Sequence, residues 1–248
     1  RRNIDYHSAI SIWQDNIAKR PDSPRPYGEL ASALSNAGRI PEALAAYETA
    51  VRLLPNYPKL RHNYAVALAA AGRLDEAAAQ FELALEQLPA LADAHYELGN
   101  VRHEQGRNVE ALACYEAAVR LRPDFALAHN NAANILTIFG RTDEALAHYA
   151  AAVRAEPNLP DAQYNWANAL AHIGRFVDAL SHYEAALRLA PALVSAHGNL
   201  GITLFNLGRY PDAVRELEIA QTLAPDSESI RANLGTARAR AKGLPGEF

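Results

Sequence analysis

A proline recurs every 34 residues along this chain, at Pro21, Pro55, Pro89, Pro123, Pro157, Pro191 and Pro225. Proline lacks an amide proton and clashes with the helical turn before it, so each one ends a helix. A glycine keeps the same interval at Gly38, Gly72, Gly106, Gly140, Gly174 and Gly208, and each is followed by arginine, from Arg39 through Arg73, Arg107, Arg141 and Arg175 to Arg209. Glycine closes a helix C-terminus in the left-handed conformation without a Cβ penalty. Punctuation at one fixed period constrains the chain to a stack of like units.

The stretch 126–157 shows what one unit contains. Ala128, Ala132, Ile135, Leu136 and Phe139 fall at helical spacing, Gly140 interrupts, and Ala145, Leu146, Tyr149, Ala152 and Val153 form a second apolar face. Each unit therefore reads as a helix, a tight turn and an antiparallel helix. Alanines at 43, 77, 111, 145, 179 and 213, and again at 50, 84, 118, 152, 186 and 220, bracket Tyr47, Phe81, Tyr115, Tyr149, Tyr183 and Leu217. Small residues let the two backbones approach, and the large residue fills the gap between pairs.

The period predicts one array over 1–248, with full units at 24–57, 58–91, 92–125, 126–159, 160–193 and 194–227. Residues 1–23 match only a second half, with Ala9, Trp13 and Pro21 in register. That half-unit is expected to leave apolar surface near Trp13 for another copy or an upstream segment. Residues 228–241 match only a first half, through Ile230, Leu234 and Gly235, and 242–248 form a tail. Arg238 stands in a column that is leucine at Leu34, Leu68, Leu136, Leu170 and Leu204, which suits the polar outer face of a capping helix.

Composition removes several function classes. Lys+Arg 24 against Asp+Glu 28 leaves a net charge of -4, without the basic excess of a nucleic-acid binder. A single cysteine, Cys114, excludes an internal disulfide. No apolar run approaches the ~18 residues that span a bilayer, and no signal peptide is visible. Methionine is absent even at position 1, so the sequence reads as a fragment or processed product with an upstream segment open.

The unit length never varies, so no loop has grown to house a catalytic apparatus, and neither enzyme nor cofactor is expected. His103-Glu104-Gln105 starts like a zinc-protease helix, but Arg107 stands where the second histidine belongs. No phosphate-cradling glycine loop or nucleophile elbow is present. His95, His129 and His197 share one column, and Cys114, His148 and His182 another. These residue types ligate zinc, yet no carboxylate or CxxC accompanies them. Helix–helix contact is the reading, with no metal.

The asparagines need a reason of their own. The sixth position of successive first helices reads Glu29, Asn63, Glu97, Asn131, Asn165, Asn199 and, in the cap, Asn233; the ninth reads Ser32, Val66, Asn100, Asn134, Asn168 and Ile202. Neither column belongs to the apolar face, and asparagine is a poor helix former. A solvated face would be better served by lysine or glutamate. An amide offers one acceptor and two donors, matching a peptide group, so Asn63, Asn100, Asn131, Asn134, Asn165, Asn168, Asn199 and Asn233 form a candidate peptide-binding ladder.

A 34-residue unit with Ala-x3-aromatic in its second helix and a closing proline resembles the tetratricopeptide repeat (TPR) family over essentially the whole chain. The departure is the signature tryptophan, replaced by Tyr27, Arg61, His95, His129, Gln163 and His197. The resemblance implies an all-α, right-handed superhelical solenoid of antiparallel helix pairs, whose first helices line a concave groove. It further implies a protein-interaction scaffold whose partner is a protein or peptide in extended conformation.

The ladder resembles that of O-linked N-acetylglucosamine transferase at Asn63, Asn131, Asn165, Asn199 and Asn233, with Glu29 and Glu97 departing. Two alternatives stand beside the scaffold reading: the substrate-docking part of a larger, glycosyltransferase-like enzyme or membrane-anchored protein, and a self-assembly module in which the groove or an open end receives another copy. Asn100/Asn131, Asn134/Asn165 and Asn168/Asn199 also resemble half of the cochaperone carboxylate clamp. The basic residues it needs are missing, since the fifth position is Gly28, His62, Tyr96, Asn130, Tyr164 and Gly198. Residues 3–30 resemble a junction in bacterial membrane proteins, which implies repeats placed outside the cytoplasm.

Overall fold

A computed structural model describes residues 2–243, with side chains from residue 9 onward. The described residues are helical throughout and fall into two compact units, 1–123 and 124–248. The first unit holds α1 (Arg2–Lys19), α2 (Pro24–Asn36), α3 (Ile40–Leu53), α4 (Pro58–Ala70), α5 (Leu74–Gln87), α6 (Ala92–Glu104) and α7 (Asn108–Leu121). The second holds α8 (Ala126–Ile138), α9 (Thr142–Ala155), α10 (Pro160–His172), α11 (Phe176–Leu189), α12 (Val194–Asn206), α13 (Tyr210–Leu223) and α14 (Glu228–Ala241). Residues 244–248, most of the expected tail, lie outside the described residues.

Each tight turn is built from its Gly-Arg pair. Gly38, Gly72, Gly106, Gly140, Gly174 and Gly208 all sit at φ 71–77°, where a Cβ would be strained. The arginine amide then reaches back five residues along the helix end, as in Arg39 N–H to the Leu34 carbonyl at 2.9 Å. That bond satisfies a carbonyl with no partner inside the helix. The arginine side chain pairs with an acid on the first turn of the next helix: Glu42, Glu76, Glu110, Glu144, Asp178 and Asp212. These ion pairs are exposed and contribute little stability. Their constancy reflects turn geometry.

Between paired helices the bracketing alanines are buried, and the rings between them are nearly inaccessible. The eighth position of each first helix faces that ring and is always small. Gly99 shows why: a Cβ there would lie 2.6 Å from the Tyr115 ring. In the first unit these contacts form a core running from Ile10 to Val101, with Trp13 partly buried against it and Ile12 left exposed.

Arg102 departs from the leucine column that the sequence implies. It is buried, pairs with Glu82 on α5, and has Glu110 of α7 at 3.4 Å and Gln105 at 3.0 Å. Arg238 reaches Glu218, likewise 20 residues upstream, at 2.8 Å. Both arginines are accommodated by a carboxylate on the preceding second helix.

Within each unit the first helices also touch their next neighbours, α2 with α4, α4 with α6, α8 with α10, α10 with α12 and α12 with α14; among the described residues second helices show no comparable contact. First helices therefore line the inner side of the bend within each unit. The sixth and ninth positions lie on this layer.

Candidate functional site

The ninth-position asparagines have a structural task. Tyr149 donates its hydroxyl to Asn134 Oδ1 at 2.7 Å, Tyr183 to Asn168 Oδ1 at 2.7 Å and Tyr115 to Asn100 Oδ1 at 2.9 Å. In the first repeat Ser32 Oγ meets the Tyr47 hydroxyl at 3.0 Å. Where the large residue has no hydroxyl the ninth position is apolar: Val66 in the repeat of Phe81, Ile202 in that of Leu217. A buried phenol without a partner carries a desolvation cost, and burial already pushes the Tyr47, Tyr149 and Tyr183 hydroxyls above their ordinary pKa. They stay neutral, as donors. The two positions lie 15 residues apart and change together, a signal present in the sequence that inspection by single columns misses.

That pairing yields a prediction. Asn134→Val alone leaves the Tyr149 hydroxyl without its principal acceptor and is expected to cost about 1–3 kcal/mol. Adding Tyr149→Phe should recover about 1 kcal/mol of it in a double-mutant cycle read by urea denaturation. Strict additivity would show that the hydroxyl does not depend on the amide.

The sixth-position asparagines of the second unit join neighbouring repeats. Asn165 Nδ2 donates to Asn130 Oδ1 at 3.1 Å, and Asn130 Nδ2 donates to Asn131 Oδ1 at 3.2 Å. Asn199 Nδ2 donates to Asn168 Oδ1 at 2.8 Å and to the Tyr164 hydroxyl at 3.1 Å. Asn130 is buried, and neither it nor Tyr164 was recognisable as part of the row, because each belongs to a column of mixed residue types. Among the described residues, Oδ1 of Asn165 and Asn199 receives no donor, and Nδ2 of Asn134 and Asn168 finds no acceptor. The inner face of the second unit thus presents amide acceptors at the sixth position and donors at the ninth. Among the described residues, neither group of Asn233 is paired.

In the first unit the row differs. Asn63 is exposed, with neither amide group paired among the described residues, while Asn100 Nδ2 turns to Glu97 Oε2 at 3.1 Å. Burial is the main reason the Glu97 carboxyl titrates above its ordinary value, opposed by the Asn100 hydrogen bond.

The histidine columns resolve into pairs across each helix hairpin. His129 and His148 bring their Nδ1 atoms to 2.9 Å, His182 Nδ1 donates to Gln163 Oε1 at 2.8 Å, and His197 Nδ1 lies 2.8 Å from Glu216. Nε2 of His95 and of His197 lies 3.0 Å from the carbonyl of the proline six residues upstream. A ring with a nitrogen at each end thus bridges the proline turn and, at His197, the second helix, in the place of the signature tryptophan. Burial pushes the Cys114 thiol up to about 11, which keeps it protonated. Among the described residues no three His, Cys, Asp or Glu side chains converge as metal ligands, and no helix is long and apolar enough to cross a membrane.

Comparison with known proteins agrees with this architecture. A tetratricopeptide repeat model matches residues 29–92, 139–194 and 164–228, and a second TPR repeat model matches 99–137. No curated protein matches the chain in sequence. Among solved structures, YrrB, described as a TPR protein with an unusual peptide-binding site, is 25% identical over 80% of this chain and 98% of its own, with a TM-score of 0.66. PilF of Pseudomonas aeruginosa superposes with a TM-score of 0.74 at 16% identity, covering 90% of this chain and 99% of its own. The C-terminal part of a TPR repeat-containing protein from Cytophaga hutchinsonii gives 0.72 at 17% identity, over 93% and 95%. The TPR solenoid is a protein-interaction scaffold, typically without catalysis of its own, and its members bind proteins or peptides. With its period, its helix pairs and these matches in agreement, the chain belongs to the tetratricopeptide repeat family.

Proposed function

We propose that this protein is a non-catalytic scaffold that holds an extended peptide along its first helices, gripping backbone rather than side chains. The observation that carries the reading is the set of amide edges left over after the internal hydrogen bonds are made. Asn165 and Asn199 offer acceptors, Asn134 and Asn168 offer donors, and Asn63 and Asn233 offer both. An extended peptide presents N–H and C=O groups alternately, and such a row complements both. Asn100 in the first unit and Asn131 in the second have their oxygens already engaged inside the protein. YrrB, similar over most of this chain, is described by its peptide-binding site.

The internal bonds dictate how the test is built. Replacing Asn131, Asn165 and Asn199 with alanine removes bonds between repeats as well as grips on a ligand. Asn134→Asp with Asn168→Asp is cleaner, since a carboxylate still accepts from Tyr149 and Tyr183 but has no outward N–H to donate. Against a peptide selected by display on the wild type, both variants are expected to lose about 0.5–1.5 kcal/mol per missing hydrogen bond. Titration calorimetry reads the loss, with helicity checked by circular dichroism. Unchanged affinity at unchanged helicity would reduce the ladder to internal wiring.

A further inference from the structure

In the first unit, α2, α3, α4 and α6 line a groove of about 570 Å³ whose wall includes Tyr47, His62, Asn63, Val66 and Glu97. No lysine or arginine lines it. Glu97 is half-buried there and stands where Asn63 and Asn131 stand in the neighbouring repeats. Its Oε2 takes the Asn100 amide, and among the described residues no cation pairs with the carboxylate. His62 adds no positive charge, because burial lowers its pKa and keeps the ring neutral. Tyr47 keeps its proton for the same reason.

A partly desolvated carboxylate with one amide hydrogen bond is underpaired. Glu97 Oε1 and Asn63 Oδ1, both on the groove wall, supply acceptors. Val66, Ala67, Ala70 and Ile40 supply an apolar wall for an aliphatic stem. Such a lining suits a long apolar stem ending in several N–H donors and a delocalised positive charge. A guanidinium meets that description better than an ammonium, since its planar fork reaches two acceptors at once and is more weakly hydrated.

We propose that this groove receives an arginine side chain of the bound peptide, with Glu97 as the specificity-determining residue. The inference rests on the peptide-binding reading, and the two can fail separately.

The probe is a short Gly-Ser peptide, acetylated and amidated, carrying one central arginine, lysine or citrulline. Citrulline keeps the shape of arginine without the charge. Each is titrated into the full isotope-labelled chain by NMR. The arginine peptide is expected to shift the His62 ring and Asn63 side-chain signals with an apparent affinity roughly tenfold above the citrulline peptide, as one charge-assisted pair would give. Glu97→Asn and Glu97→Gln should each reduce arginine to the citrulline level; the first restores the residue found at this position in adjacent repeats, so the helix is retained. Equal shifts by arginine and citrulline, equal affinity for arginine and lysine, an arginine preference surviving in both variants, or no shift at His62 and Asn63 at millimolar peptide would each overturn the proposal. The Asn165 and Asn199 side-chain amides report the backbone grip separately. If they stay still while the arginine preference appears at Asn63, the grip fails and the arginine site stands.

Discussion

Phe81→Ala is expected to lower the stability of the protein by about 3–5 kcal/mol. The ring is fully buried, with Ala77 and Ala84 equally inaccessible on the same helix, and it meets His62 edge-on at 5.5 Å between centroids. The methyl groups of the alanine neighbours have no rotamer with which to fill the space, so the cavity stays open and its cost adds to the lost transfer energy. Phe81→Tyr tests the same site from the other direction. Its hydroxyl would arrive where Val66 offers no acceptor, and Val66→Asn should restore the pair seen at Tyr149 and Asn134. Guanidinium denaturation of the four proteins measures both effects. A loss below about 1 kcal/mol for Phe81→Ala would mean that the helix pair closes over the gap.

Removing residues 228–248 should have the larger consequence. Leu234 and Ala237 of α14 are buried against a core that includes Leu204 and Leu217. Without α14 that surface faces water, and Leu234 alone accounts for about 1.5–3 kcal/mol of burial. Stability in a stacked array is a sum of unit and neighbour terms, so the last full repeat should melt first. A lower thermal midpoint together with aggregation by light scattering is the expected result. A truncated chain that melts and scatters like the parent would show that α14 covers nothing of consequence.

Placing the helices needed no tertiary information. Proline at the end of each second helix, Gly-Arg in each tight turn and alanine around a large ring are short-range choices, and each repeats with every unit. The candidate row was legible too, as two columns on one helix face. Its internal wiring was not legible, because single columns conceal relations between columns. Asn134 answers to Tyr149, 15 residues away, and Asn199 to Asn168, 31 residues away in the preceding repeat. Seen column by column, a ninth-position asparagine looks like an outward group, although its oxygen is committed inward.

The sequence by itself determined the unit, its period and the identity of the packed residues, since all of these follow from helical spacing and from where a chain can turn. Only the tertiary structure decided which polar atoms remain available to a ligand. A hydrogen bond is fixed by two groups that the chain brings together from distant positions, and the sequence records the groups without their distance. Glu97 shows the difference: the sequence marks it as an exception in an asparagine column, and the fold places it in a groove without a cation to answer it.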